Sequence, residues 1–133
     1  VNLYFCVRNP MMYKRQALRE ELCVLRICHH VLDLPKTVIT DANASGTHTK
    51  FESSPSGLRI VDAEMTHATF WNIGDQIERW RRTSAKCAEV LVPDRIDPAF
   101  ILGAYVCGRA AQATFANVCP ALSSTVNGHL FFS

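Results

Sequence analysis

Apolar and polar positions alternate in short runs along most of this chain. In the opening stretch Leu3 and Phe5 face away from Asn2, Tyr4 and Cys6, a period of two that predicts a strand over residues 2–6. Arg8-Asn9-Pro10 ends it, and the fixed φ of Pro10 suits the first turn of a helix over 11–21. Residues 22–27 are β-branched and apolar and predict a strand; 31–34 predict a second short one, stopped by Pro35. A further strand over 37–40 runs into Asp41-Ala42-Asn43-Ala44-Ser45-Gly46, a cluster of turn-forming residues. The polar run 47–57 reads as a surface loop. Asp62 and Asp75 are N-cap residues for helices over 63–71 and 76–86. In the second helix Ile77, Trp80 and Ser84 share a face expected to turn inward, while Glu78 and Arg82 pair at i,i+4. Strands follow at 88–92, closed by Pro93-Asp94, and at 101–107; then come a helix over 109–117 and a last strand over 129–132. Strands and helices mix without a regular βαβ period, so the expected class is α+β: a mainly antiparallel or mixed sheet with helices packed on it.

Composition narrows the class further. With 133 residues, 48% of them apolar, the chain suits one compact domain with a real core. A formal charge of +2 argues neither for nor against nucleic acid, so any basic surface must be local. No apolar run approaches the roughly 20 residues that cross a bilayer, and no membrane association is expected. The six cysteines are scattered, none in Cys-x-x-Cys, which predicts buried, reduced thiols in a cytoplasmic protein rather than a disulfide framework. Cys23, Cys28, His29 and His30 match no common zinc spacing, and no metal is expected. The chain enters directly on an apolar stretch at Val1, which leads us to expect a preceding segment.

Few residues offer chemistry. Glu89 lies in Ala88-Glu89-Val90-Leu91-Val92, a carboxylate among apolar neighbours. It is either a solvent-facing strand position or a group held on a rigid strand at the floor of a cleft. Arg8, at a strand end, is either solvated or a planar fork for phosphate or carboxylate. Asp41 and Asn43 suit local turn bonds. The basic run Arg79-Trp80-Arg81-Arg82, with Lys86 beyond it, reads as a solvated face over a buried Trp, or with Lys50 and Arg59 as a contact for a DNA backbone. A nucleophile elbow, a P-loop and a dinucleotide fingerprint are all missing.

Five stretches in register resemble the DarT family of DNA-modifying ADP-ribosyltransferases. They are Tyr4-Phe5 with Arg8-Asn9-Pro10-Met11-Met12-Tyr13; Cys23 to Ile27; Asp41 to Ser45; Ala88 to Asp94; and Ile96 to Ala104. The likeness runs from Val1 to about Val106. It implies an ADP-ribosyltransferase-like domain over 1–133 that transfers ADP-ribose from NAD to guanine or thymine in single-stranded DNA, the wording of the opening motifs pointing to the guanine branch. It further implies a toxin, active as a monomer, whose mark a macrodomain antitoxin removes. By the same likeness Glu89 and Arg8 are the catalytic residues, and Arg8 and Tyr4 hold NAD. Asp41, Asn43, Lys50, Arg59, Arg81 and Arg82 are the expected DNA contacts, and the loop before Glu89 reads the substrate. Family members carry an upstream NAD-gripping segment that this chain is expected to lack. The alternative is a catalytically inactive, truncated relative that binds nucleic acid or the antitoxin.

Overall fold

The computed structural model describes residues 1–132. In chain order the strands are β1 (Asn2–Tyr4), β2 (Cys23–Ile27), β3 (Val38–Thr40), β4 (Phe51–Ser53), β5 (Glu89–Leu91), β6 (Ile101–Val106) and β7 (Ser124–Val126). The α-helices are α1 (Pro10–Lys14), α2 (Ala63–His67), α3 (Gln76–Ala85) and α4 (Arg109–Val118), joined by short 3-10 turns. The class is α+β, as the mixed pattern predicts. Two compact units emerge: Val1–Pro10 with His30–Ile96, and Met11–His29 with the chain from Asp97 onward.

In the first unit four antiparallel strands stand in the order β1-β5-β3-β4. Placing β5 inside the sheet satisfies its backbone on both sides and removes freedom from every side chain it carries. Tyr4 lies opposite Glu89 and Leu3 opposite Val90; on the other edge Ile39 lies opposite Val90. Because side chains alternate, Leu3, Val90 and Ile39 share one face, while Tyr4, Glu89 and Thr40 share the other. The first face is core: Ile39 and Val90 are buried, as are Ala88 and Val92 at the ends of β5.

Where a surface loop is expected, the chain instead forms β4 and a 3-10 turn over Ser56–Ile60. A hydrophobicity pattern misses β4 because it is an edge strand whose contribution is backbone pairing with β3. Gly57 is buried where the turn crosses β4; a Cβ there would lie 2.9 Å from the Glu52 carbonyl oxygen. The strand expected over 31–34 is likewise a 3-10 turn, His29–Asp33, which buries Val31 and lets the Thr37 hydroxyl donate to the Val31 carbonyl at 3.4 Å. Both helix caps form: the Asp62 carboxylate accepts from Met65 N–H at 2.9 Å and that of Asp75 from Glu78 N–H at 2.8 Å. Helix α2 stops at His67, shorter than its pattern.

In α3 the expected inward face is reversed. Ile77 is 66% exposed and Trp80 58%, whereas Ala85 and the following Lys86 are buried. The i,i+4 pair forms on another side of the helix, with Arg82 Nη2 2.7 Å from Glu78 Oε1. Burial of Lys86 withdraws its charge from the basic surface.

The second unit is a three-stranded sheet, β2-β6-β7. Strands β2 and β6 are antiparallel, with a register shift at Arg26/Ile27 beside Gly103, whose φ of 153° only glycine adopts readily. β7 joins β6 in parallel, and Gln112 of α4 donates to the Ser124 carbonyl at 2.9 Å. The helix predicted over 11–21 is split into α1 and a 3-10 turn, Gln16–Glu21, separated at Arg15. The strand expected over 129–132 is a 3-10 turn, Gly128–Leu130, whose amides bond locally, as Phe131 N–H does to the Gly128 carbonyl. All six cysteines are free thiols, as expected, but none is fully buried and Cys23 is exposed.

Candidate active site

Glu89 opens β5, and its main chain is fixed before its side chain is considered. Its N–H donates to Thr40 Oγ1 at 3.1 Å, and that hydroxyl in turn donates to the Ala42 carbonyl at 2.6 Å. One buried hydroxyl thus ties the strand to the start of the turn at 41–46. The carboxylate meets the same turn: Oε2 accepts from Ala44 N–H at 2.6 Å. Oε1 accepts from Asn2 Nδ2 at 3.3 Å, a diagonal neighbour on β1. Only 1% of the residue is exposed, so the solvent-facing alternative is excluded.

The turn is built from its own polar groups. Asn43 Oδ1 accepts from Ser45 N–H at 3.0 Å and from the Ser45 hydroxyl. The Asn43 carbonyl accepts from Gly46 N–H at 2.9 Å and Thr49 Oγ1 at 2.6 Å. Asp41 Oδ1 accepts from Lys50 N–H at 2.9 Å, closing the far end. These are the local bonds that turn residues favour, and their result is to aim Ala44 N–H at Glu89.

Beyond the turn lies a cavity of about 860 Å³. Asp41, Asn43, His48 and Lys50 line it from the turn side; Trp80, Arg81 and Ser84 line it from α3. Four expected DNA contacts, Asp41, Asn43, Lys50 and Arg81, therefore converge on one cavity. Arg59 and Arg82 stand elsewhere. Arg59 Nε pairs with Glu52 Oε2 at 2.8 Å, an interaction that raises its pKa, and Arg82 is taken by Glu78. Neither Glu89 nor Arg8 is among the described residues lining the cavity; the turn adjoins both the cavity and the carboxylate. Arg8 is half-buried just after β1, its carbonyl 3.6 Å from Cys6 Sγ. Tyr4 is also half-buried, directly across the ladder from Glu89.

The sequence is similar to known proteins along nearly its whole length. It matches the family described as "DarT: ssDNA thymidine ADP-ribosyltransferase" over residues 1–127. The chain belongs to the DarT family. A fusion protein of Thermosipho africanus (strain H17ap60334), named for a DNA ADP-ribosyl transferase and a DNA ADP-ribosyl glycohydrolase, is 29% identical over 109 residues. That match covers 79% of this chain and 27% of the fusion protein. The structure of Thermus sp. 2.9 DarT in complex with carba-NAD+ superposes with a TM-score of 0.85 at 20% identity, covering 99% of this chain and 72% of that one. The same protein in complex with ADP-ribosylated ssDNA gives 0.84 at 20% identity, over 99% and 68%. At such identity these structures establish the DarT fold.

Several residues around Glu89 and α3 carry no signature of their contacts in the sequence. By pattern Thr40 is only a strand residue and Ala44 only part of a turn, because a main-chain N–H has no signature. Asn2 was placed correctly on the face opposite Leu3 but not linked to Glu89, since strand pairing is not visible in one strand. Lys86 is 1% exposed, with Nζ 2.8 Å from the Ala68 carbonyl, 3.2 Å from Cys6 Sγ and 5.2 Å from the Trp71 ring centre. Among the described residues, no three His, Cys, Asp or Glu side chains gather as a metal site.

Proposed function

We propose that this chain transfers ADP-ribose from NAD to a base of single-stranded DNA, with Glu89 as the catalytic carboxylate. The supporting observation is the buried carboxylate of Glu89, held by Ala44 N–H on one oxygen. NAD is the co-substrate in this reading. The nicotinamide–ribose bond breaks with its electron pair leaving on nicotinamide, and positive charge grows at the sugar carbon. A carboxylate in a site poor in water stabilises that charge far more than one in bulk solvent. A ring nitrogen of the acceptor base then bonds to the same carbon, and Glu89 helps remove its proton.

Access to the carboxylate follows from its partners. Oε2 is committed to the turn, whereas Oε1 has only the longer bond to Asn2, an exposed side chain. When Asn2 moves aside, Oε1 is free for a ribose hydroxyl. Tyr4, across the ladder, and Arg8, just past β1, flank the dinucleotide. The acceptor is thymine or guanine; the family description favours thymine. The acceptor must be unstacked to reach the site, in keeping with a single-stranded substrate. The fusion of transferase to glycohydrolase in the Thermosipho relative supports a toxin whose mark a macrodomain partner erases. Near-complete covering of Glu89 favours the other reading, an inactive relative that only binds.

The deciding experiment incubates the protein with NAD and single strands containing either thymine or guanine as the reactive base. A mass gain of one ADP-ribose on one strand, lost in Glu89→Ala, supports the proposal and names the base. Modification that persists in Glu89→Ala overturns the assignment, and no modification beside intact binding favours the inactive reading.

A further inference from the structure

Trp80 carries a second inference, which takes its ligand class from the proposed function. A large indole, 58% exposed, is unusual on a helix surface. It stands at the rim of the 860 Å³ cavity, and Arg81 and Ser84 line the cavity from the same helix. Ile77, one turn earlier at i−3, is 66% exposed and extends the apolar surface. Lys50 and Arg81 line the cavity with Trp80 and make no ion pair among the described residues, although the carboxylates of Asp41 and Asp62 line it too; Arg82 and Arg59 are paired with Glu78 and Glu52.

A flat aromatic surface beside unneutralised cations suits a strand with exposed bases and a charged backbone. Each base offers a π-face, and each phosphate a partner for a guanidinium. We propose that Trp80 is a stacking platform for a base flanking the acceptor base, with Arg81 and Lys50 holding the adjoining phosphates. Trp80 is then a positioning residue: it sets how the single strand enters the cavity, and the chemistry stays with the carboxylate.

The test is binding without NAD, which separates this proposal from the catalytic one. The probe is a fluorescein-labelled single strand about 12 nucleotides long, within the span such sites cover, read by anisotropy, with a duplex of the same sequence as control. Trp80→Ala is expected to weaken single-strand binding roughly 5- to 150-fold, the range for losing one stacked base. Trp80→Phe recovers most of it, and duplex binding is unchanged. Arg81→Ala lowers the dependence of log affinity on log salt by about 0.7, the single-strand value for one phosphate, while Trp80→Ala leaves that slope as it was. Equal affinity of wild type and Trp80→Ala for the single strand overturns the proposal, even if the strand is modified when NAD is added. Trp80-dependent binding with no modification sustains it and counts only against the catalytic reading.

Discussion

Ala44 N–H donates to Glu89 Oε2 at 2.6 Å across a sequence separation of 45 residues. The bond runs between a turn and a strand, and it holds one carboxylate oxygen while leaving the other with a weaker partner. A charged acceptor makes a short, strong bond to a backbone amide, and burial strengthens it.

Glu89→Gln keeps the shape of the side chain and removes its charge. DNA modification is expected to fall by about 10²–10³, the usual loss when one transition-state electrostatic group is removed. The far-ultraviolet circular dichroism should match wild type, and single-turnover mass spectrometry of the oligonucleotide measures the rate. A variant that reacts at wild-type rate rules out charge as the contribution of Glu89.

Thr40→Val deletes the hydroxyl that joins Glu89 N–H to the Ala42 carbonyl. Two polar groups lose their partner, one of them inside the sheet, so the cost is about 1–3 kcal/mol. Thr40→Ser retains the hydroxyl and should recover most of that loss. Urea denaturation midpoints of the three proteins make the comparison.

Gly57→Ala places a methyl group 2.9 Å from both the Glu52 carbonyl oxygen and the Glu52 Cβ. Backbone must shift to relieve the contact, with an expected destabilisation of about 1–3 kcal/mol. Because β4 pairs with β3, hydrogen exchange should quicken at the amides of Phe51 to Ser53 before the rest of the first unit responds.

Cys23 should alkylate late on a pH scale despite its exposure. Partial burial of the thiol, and then the nearby Cys119, raise its pKa above the ordinary 9.0. The thiolate is the reactive form, so the iodoacetamide rate should reach half its maximum above pH 9.0 in the folded protein. In urea the midpoint should return to the ordinary value. The sign for stability follows: a raised folded-state pKa contributes stability fully present below pH 9.0 and lost as pH climbs through the folded value. Equal alkylation profiles in native buffer and in urea would contradict this account.

Much of the scaffold was legible locally. The alternation around Glu89, the caps at Asp62 and Asp75, and the pair of Glu78 with Arg82 depend on neighbours within a few positions, where steric and hydrogen-bond preferences act directly. The family likeness was legible for the same reason, since its stretches lie in order along the chain and the match covers residues 1–127. What the sequence alone determined was therefore the capped helix starts, the local alternation of β5 and which carboxylate merits attention, while residues 31–34 and 129–132, extended by pattern, form 3-10 turns.

Only the tertiary structure decided what those segments meet. β4 exists because β3 needs a partner for its backbone, and β7 because β6 does; neither need is written in the strand that answers it. Trp80 faces out and Lys86 goes in, against their usual hydrophobic order, because Lys86 finds a carbonyl, a thiol and an indole waiting inside. The grip of Ala44 on Glu89 is likewise a meeting of distant main chain and side chain. Periodicity reports how a residue relates to its own element; pairing across the fold depends on groups many positions away, and only the assembled chain brings them within bonding distance.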